Sequence, residues 1–515
     1  MGEPSAHINQ AKERARVPGK RKLLLFSHVC NIRNVTGAEK LLLFCARKLQ
    51  AHYDCTIVVP RQGSLTVQAK RYGIRTIICD NGLLYGMCSP HAGLSGLASA
   101  VAWSEPVRHT VDLLTRECPD LVLVNTSVNV SPAIAAKQLG IPVAWQITEV
   151  IAQNEHTAEA VSIIDRYSDL VIGISKAVLH PFQGSAAEGK TLLLYPSWNP
   201  EDIHPEAWYY LRRHKRGLWK VKPAERLVGY ISSYLIPEKG ADHFLRAALQ
   251  LADSFSDAKF IIIGAEMHHE FYRSLQDMVS ASPYRDRFIF ANFQDRIEAV
   301  FAAMDLVIVP PIAQEGFGLT ALEGMVFGKP VVAYASGGLK EILEATGNAS
   351  YLAATRDWEG LASRAAQLLS SPGLAEEVGQ SNRAQSEAIF GPSAYDDRLL
   401  GLVEQMNGLH GSVVPLPEPQ QPPLDEVALR AIESGAKESA GNNLPILGKG
   451  IRLNKSPKRR GALKRQRRGK GSTQRGITAR RKRSRRGTQR LAARRRRSSS
   501  VGSRRRNKRH KSARR

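Results

Sequence analysis

Between residues 22 and 400, short apolar runs alternate with longer amphipathic stretches, and this alternation restricts the possible folds more than any other feature of the chain. A run too short for a helix but apolar on both faces reads as a strand covered on both sides. Strands of that kind separated by helical patterns form βαβ units and a parallel sheet. The first series comprises Lys22 to Phe26, Cys55 to Pro60, Ile74 to Cys79, Leu121 to Asn125, Val143 to Ile147 and Leu170 to Ile174. After a polar and aromatic stretch at 196–222, a second series follows: Leu227 to Ile231, Lys259 to Ile263, Arg287 to Phe290, Leu306 to Val309 and Val331 to Tyr334. Helical patterns at 240–252, 270–280, 295–303, 318–327 and 358–371 lie within or just after it. The expectation is an α/β protein with two tandem Rossmann-like, doubly wound domains facing a cleft.

The flanks have a different composition. An amphipathic segment from about 374 to 407 runs into a Pro-rich stretch, Val414 to Pro423, which reads as a linker with polyproline character. Globular structure is therefore expected to stop near residue 408, with a short helix between Asp425 and Glu438. The formal charge of +26 is unevenly placed: Lys449 to Arg515 holds 31 of the 73 Lys and Arg residues and no acid. Residues 1–448 carry 42 basic against 47 acidic residues, a net charge of −5. So basic a tail cannot bury enough apolar area to offset ordering, and it is expected to be disordered. The expected boundaries are a basic arm at 1–20, domains at 21–198 and 199–385, a helix at 386–408 returning to the first domain, a linker at 409–448 and the tail at 449–515.

Several classes drop out on composition. The longest early apolar run, Leu23 to Phe26, is too short for a secretory signal, and no stretch approaches the roughly 18 apolar residues of a membrane span. The six cysteines include no CxxC pair and no histidine spacing suited to zinc, so free thiols in a reducing cytoplasm are expected and no metal site is assigned.

Chemistry concentrates in one segment. Asp305 to Pro311 reads strand, Glu315 to Gly318 loop, Leu319 onward helix, and Gly328 to Val332 turn and strand. Glu315 then stands at the carboxyl edge of a sheet, where open α/β folds bind ligands, and Glu323 lies inside the helix that follows. Two carboxylates can accept hydrogen bonds from sugar hydroxyls, and the amides at Gly318, Leu319 and Thr320 offer a helix N-terminus to a phosphate. A nucleotide diphosphate sugar meets both demands, with the carboxylates bracketing it.

This E-x7-E spacing in EGFGLTALEGMVFGKPVVAY, followed by Ser336 to Ile342, resembles the donor-site signature of glycosyltransferase family 4. The resemblance implies the GT-B architecture and retention of anomeric configuration. It further implies that Glu315 holds hydroxyls of the transferred sugar, that the Gly318–Thr320 amides meet sugar and diphosphate, and that Glu323 binds the ribose. Gly337, Gly338 and Glu341 match the family's next loop. Of the basic pair that meets the diphosphate, Lys239 matches, while Tyr234 stands where an arginine is expected. Thr36-Gly37-Ala38-Glu39 resembles the family's glycine-rich turn, with Gly37 approaching the donor and Thr36 replacing the first glycine. On the acceptor side Glu149 is retained without its usual neighbouring histidine, and Asn125, with Thr126 and Ser127, ends a strand at the same edge.

The function implied is transfer of a hexosyl unit from a nucleotide diphosphate sugar to a saccharide, lipid or protein acceptor, with Glu315 and Lys239 as catalytic candidates. No cofactor and no metal are expected, since no D-x-D motif occurs. The alternative is a catalytically weak GT-B scaffold that binds polyanions, in an envelope or spore setting. The tail is expected to bind nucleic acid, anionic lipid or envelope polymers through counterion release. A cytoplasmic location, or a peripheral one at membrane or envelope, fits both readings.

Overall fold

In the computed structural model, residues 19–416, except Arg33 and Asp295, are described. The basic arm up to residue 18, the 425–438 helix and the basic tail expected from sequence lie outside them. Two parallel sheets organise the chain. The first has seven strands in the order β3-β2-β1-β4-β5-β6-β7, and the second has six in the order β10-β9-β8-β11-β12-β13, where β3 is Arg75–Ile78, β6 Leu170–Gly173 and β10 Phe288–Ala291. In the first sheet β1 (Arg21–Phe26) pairs with both β2 (Tyr53–Val59) and β4 (Leu121–Asn125). In the second, β8 (Arg226–Leu235) pairs with β9 (Ala258–Glu266) and β11 (Leu306–Val309). Strand order reverses at β1/β4 and at β8/β11, so the loops leaving those strands diverge and open a crevice at each carboxyl edge.

The expected strands recur, with β4, β5 (Val143–Ile147), β11 and β12 (Val331–Tyr334) at the bounds read from sequence. Two strands had no sequence signal: β7 (Thr191–Leu193) and β13 (Leu352–Ala353) are edge strands of three and two residues, too short for any periodicity. β8 runs four residues beyond its expected end at Ile231, because a register shift between Ile231 and Tyr234 lets it resume pairing with β9.

The 374–407 segment is two helices, Pro372–Phe390 and Pro392–Gly408, divided at Gly391-Pro392. A proline cannot continue the first helix but suits the first turn of the second. The second helix lies on the first domain: Tyr395, Leu399, Leu402, Val403 and Met406 share a core with Leu42, Cys45, Leu49 and Tyr53. Phe44 and Tyr395 meet edge to face with centroids 4.8 Å apart. Ordered chain also continues past the expected end at 408. Val414 N donates to Lys137 O, Lys137 Nζ bonds Ser412 Oγ at 2.8 Å, and Gly411 lies hard against the backbone of Gly140. Backbone pairing, which a Pro-rich composition does not reveal, holds this segment.

Asp305, at the head of β11, fixes where that strand begins. It accepts bonds from Arg212 at 2.6 Å, Arg216 at 3.1 Å and Leu227 N at 2.7 Å, so the strand starts in register with β8. All six cysteines are free. Among the described residues no helix is long and apolar enough to cross a membrane.

Leu402 is fully buried where the last helix meets the first domain. Leu402→Ala is expected to cost about 2–5 kcal/mol, read as a lowered midpoint in urea unfolding followed by far-UV circular dichroism.

Candidate functional site

The loops after β8 and β11 meet at the switch point of the second sheet. Pro237–Lys239 forms a single 3-10 turn, and Gly240 follows at φ 71°. A Cβ on Gly240 would stand 1.9 Å from Pro310 O, so only glycine allows the two loops this approach. The amides of Ile312 and Ala313 both donate to Glu238 O, locking the loops together. This junction delivers Lys239 to Glu315, with Nζ to Oε2 at 2.7 Å.

Glu315 is set from behind. Its amide donates to Ser336 Oγ at 3.2 Å, and its carbonyl accepts from Gly338 N at 2.8 Å. Gly318 then caps the helix Leu319–Val326 at φ 107°, where a Cβ would also strike Leu339 at 2.5 Å. The amides of Leu319 and Thr320 in its first turn have no intrahelical acceptor, while those of Ala321 and Leu322 donate to Gly318 O. Glu323 sits one turn further in, its carboxylate 3.2 Å from Lys40 Nζ.

Lys40 comes from the first domain, in the helix Gly37–Leu49. That helix starts with a capping box: Thr36 accepts from Glu39 N, and the Glu39 carboxylate takes the Thr36 amide. Glu39 is fully buried and also accepts from Asn31, so it holds the preceding loop. A Cβ on Gly37 would stand 3.5 Å from Leu319 Cδ1, which puts the first turns of two helices from opposite domains side by side. The Tyr234 hydroxyl donates to Asn34 Oδ1 at 2.9 Å, adding a bond between domains at the position where an arginine was expected. Burial pushes its phenol pKa up.

The two carboxylates expected to bracket one ligand lie on either side of a helix N-terminus, each held by its own lysine. A cavity of about 630 Å³ reaches Glu323, Lys40, Arg296, Ile297 and Leu319, and Glu315 is not among its walls.

On the opposite wall, Asn125 is fully buried and donates to Ala38 O at 3.1 Å, fixing the Gly37 turn from within. Thr126 is held at φ 77°, a strained conformation for a β-branched residue. Its amide donates to Gln146 O, and its carbonyl accepts from Trp145 Nε1 at 2.7 Å. Those bonds keep the strain in place, as at many ligand sites. Glu149 accepts from Ser127 N, Ser127 Oγ and Thr148 Oγ1 at 3.1, 3.2 and 2.8 Å. Burial raises its pKa against those bonds, which lower it.

Glu341 does not join the donor loop. Its carboxylate accepts the amides of Lys176 and Ala177 in the first domain, at 2.9 and 2.5 Å, and the Tyr195 hydroxyl at 3.2 Å. It therefore clasps the domains together. The Glu315–Gly318 loop crosses the same boundary: a Cβ on Gly316 would lie 2.1 Å from Thr148 O, and Ser175 Oγ donates to Gly316 O at 2.6 Å. Phe317, only 2% exposed, packs on Tyr195 and Phe390 with centroids 6.0 and 5.6 Å away.

Sequence reasoning passed over two residues here. Lys40 could have been found one position beyond the Thr36–Glu39 turn, on its helix. His28, just after β1, has a buried Nδ1 without a protein partner, and nothing in the local pattern marks it.

Two facing Rossmann-type domains with a final helix returned to the first define the GT-B class of fold. Residues 219–385 match the family described as glycosyl transferases group 1. The chain is 33% identical over 115 residues to 2-deoxystreptamine glucosyltransferase of Streptomyces kanamyceticus, covering 22% of this chain and 28% of that protein. It is 26% identical over 219 residues to N-acetyl-alpha-D-glucosaminyl L-malate synthase of Bacillus anthracis, covering 42% and 54%. The matched stretches thus span about half or less of these relatives. Anabaena HepE in complex with UDP and glucose superposes with a TM-score of 0.62 at 20% identity, over 76% of this chain and all of that one. Sucrose-phosphate synthase from Thermosynechococcus elongatus gives 0.58 at 19%, over 75% and 99%.

Burial lowers the His28 pKa to about 4, so the folded protein keeps this ring neutral while the unfolded chain protonates near 6.5. The unfolded state binds more protons between those values, and stability should fall as pH drops through that window. His28→Gln is expected to flatten that part of the profile, measured by urea unfolding at pH 7 and pH 5. Phe317→Ala should destabilise by about 3–5 kcal/mol, read in the same assay at pH 7.

Proposed function

We propose that the chain is a family 4-type glycosyltransferase that moves a hexosyl unit from a nucleotide diphosphate sugar to an acceptor hydroxyl, with retention and without a metal or resident cofactor. The observation that carries this reading is the arrangement at the second switch point. The Lys239–Glu315 pair stands beside the open N-terminus of the helix Leu319–Val326, with Glu323 one turn in. The helix amides and Lys239 supply fixed positive potential where a diphosphate departs. Glu323 and the cavity beside it suit a ribose and base, and Glu315 suits sugar hydroxyls.

In the transfer, the bond from the anomeric carbon to the phosphate oxygen breaks and its electron pair leaves with the nucleotide diphosphate. The acceptor oxygen bonds that carbon from the same face, through an oxocarbenium-like state, and its proton passes to the departing phosphate oxygen. Glu149, held by Ser127 and Thr148 on the facing wall, is positioned to take a hydrogen bond from the acceptor. The acceptor is a saccharide, lipid or protein hydroxyl, and the basic tail binds polyanions without a part in the chemistry. A cytoplasmic or peripheral location accords with a nucleotide-sugar donor. HepE was crystallised with UDP and glucose, and a Corynebacterium glutamicum relative is named as GDP-mannose-dependent, so uridine and guanosine donors head the panel to test.

Thermal unfolding against uridine, guanosine and adenosine diphosphates and their sugars should show stabilisation by at least one, and Glu323→Ala should abolish the shift. Lys239→Met should lower kcat/KM for nucleotide release by about 10²–10³. No shift with any nucleotide would remove the donor assignment, and an inverted product by NMR anomeric couplings would remove retention.

A further inference from the structure

The second cation for the diphosphate comes from the opposite domain: we infer that Lys40 replaces the arginine that Tyr234 displaces. The inference rests on the donor reading above. It begins with the symmetry of the site, in which each donor-side carboxylate is held by one lysine. Lys239 holds Glu315 from within the second domain, and Lys40 holds Glu323 from the first. At 41% side-chain exposure Lys40 is not locked in place, while Glu323 is 18% exposed.

The helices fix what Lys40 can reach. Gly37 abuts Leu319, so both helices start at one place, with Lys40 three residues into one and Glu323 four into the other. At about 1.5 Å per residue, Glu323 stands about 6 Å from the helix start, within the sweep of a flexible lysine side chain. Tyr234 is committed elsewhere, its hydroxyl bonded to Asn34 across the domain boundary. The phenol brings no positive charge to the site, whereas a lysine on the facing helix does.

A nucleotide diphosphate therefore exchanges partners on entry. Ribose hydroxyls take the Glu323 carboxylate, and the released Lys40 ammonium turns to the diphosphate between the two helix starts. Because the cation belongs to the first domain, the charge of the diphosphate draws the two domains together, a coupling that an arginine at 234 would not provide. Lys40 is thus a binding and positioning residue with two states, one on Glu323 and one on the ligand.

The test is isothermal titration of the full chain with nucleoside mono- and diphosphates of the base that stabilises it best. The readout is the ratio of diphosphate to monophosphate affinity. Lys40→Met is expected to lower that ratio about tenfold while monophosphate binding holds or tightens, since ribose no longer competes with the ammonium. Lys40→Arg should keep the ratio, and Tyr234→Arg in the Lys40→Met background should restore it. An unchanged ratio in Lys40→Met, or tighter diphosphate binding, would show Lys40 to be only a competitor at Glu323 and would overturn the inference. If no nucleotide binds the wild type, the donor reading fails first, and a matching unfolding temperature for Lys40→Met separates either result from a loss of fold.

Discussion

The loop Glu315–Gly318 must touch the first domain while presenting the start of a helix to the cleft, and the rest of the site follows from that contact. Gly316 lies against Thr148 O because it has no side chain, and Ser175 fixes its carbonyl. Phe317 turns the other way, into Tyr195 and Phe390. The loop is therefore anchored in apolar packing at the junction of the domains, and its two neighbours are free to be polar. A residue with a Cβ at 316 or 318 would push the helix start away from both walls. The segment that resembles a donor signature is thus also the mortise between the domains, which accounts for glycine, phenylalanine and glycine standing in that order.

Electrostatics complete what packing begins. Glu341 spans the domain boundary on backbone amides of the first domain, Tyr234 spans it through Asn34, and Lys40 spans it through Glu323. The first takes two amides and a phenol and does not compete with a nucleotide. The third lies on the carboxylate that the proposed function gives to the ribose, so on that proposal it is the bond a nucleotide displaces, and both it and the Glu341 clasp are made by acidic side chains on helices of the second domain.

Much of this was legible in sequence, for reasons that particular residues make plain. β4, β5, β11 and β12 stand out because they are covered on both faces and so are apolar throughout. The strand–loop–helix reading of Asp305 to Val332 held because glycine and proline mark each turn. β7 and β13 were invisible because a three-residue edge strand has no period to detect. Glu341 could be placed on a helix but not paired, since its partners are backbone amides 165 and 164 residues away. Lys40 was missed for a similar reason: a lysine near a helix start has no special pattern, and only the approach of Gly37 to Leu319 brings it beside Glu323.

The polypeptide passes between the domains twice, once near Tyr195–Asn199 and again at Phe390–Pro392, before its last helix settles on the first domain. Both crossings lie against one aromatic cluster, Tyr195, Phe317 and Phe390, so a single apolar contact ties the two passages of the chain to the loop that leads into the helix Leu319–Val326.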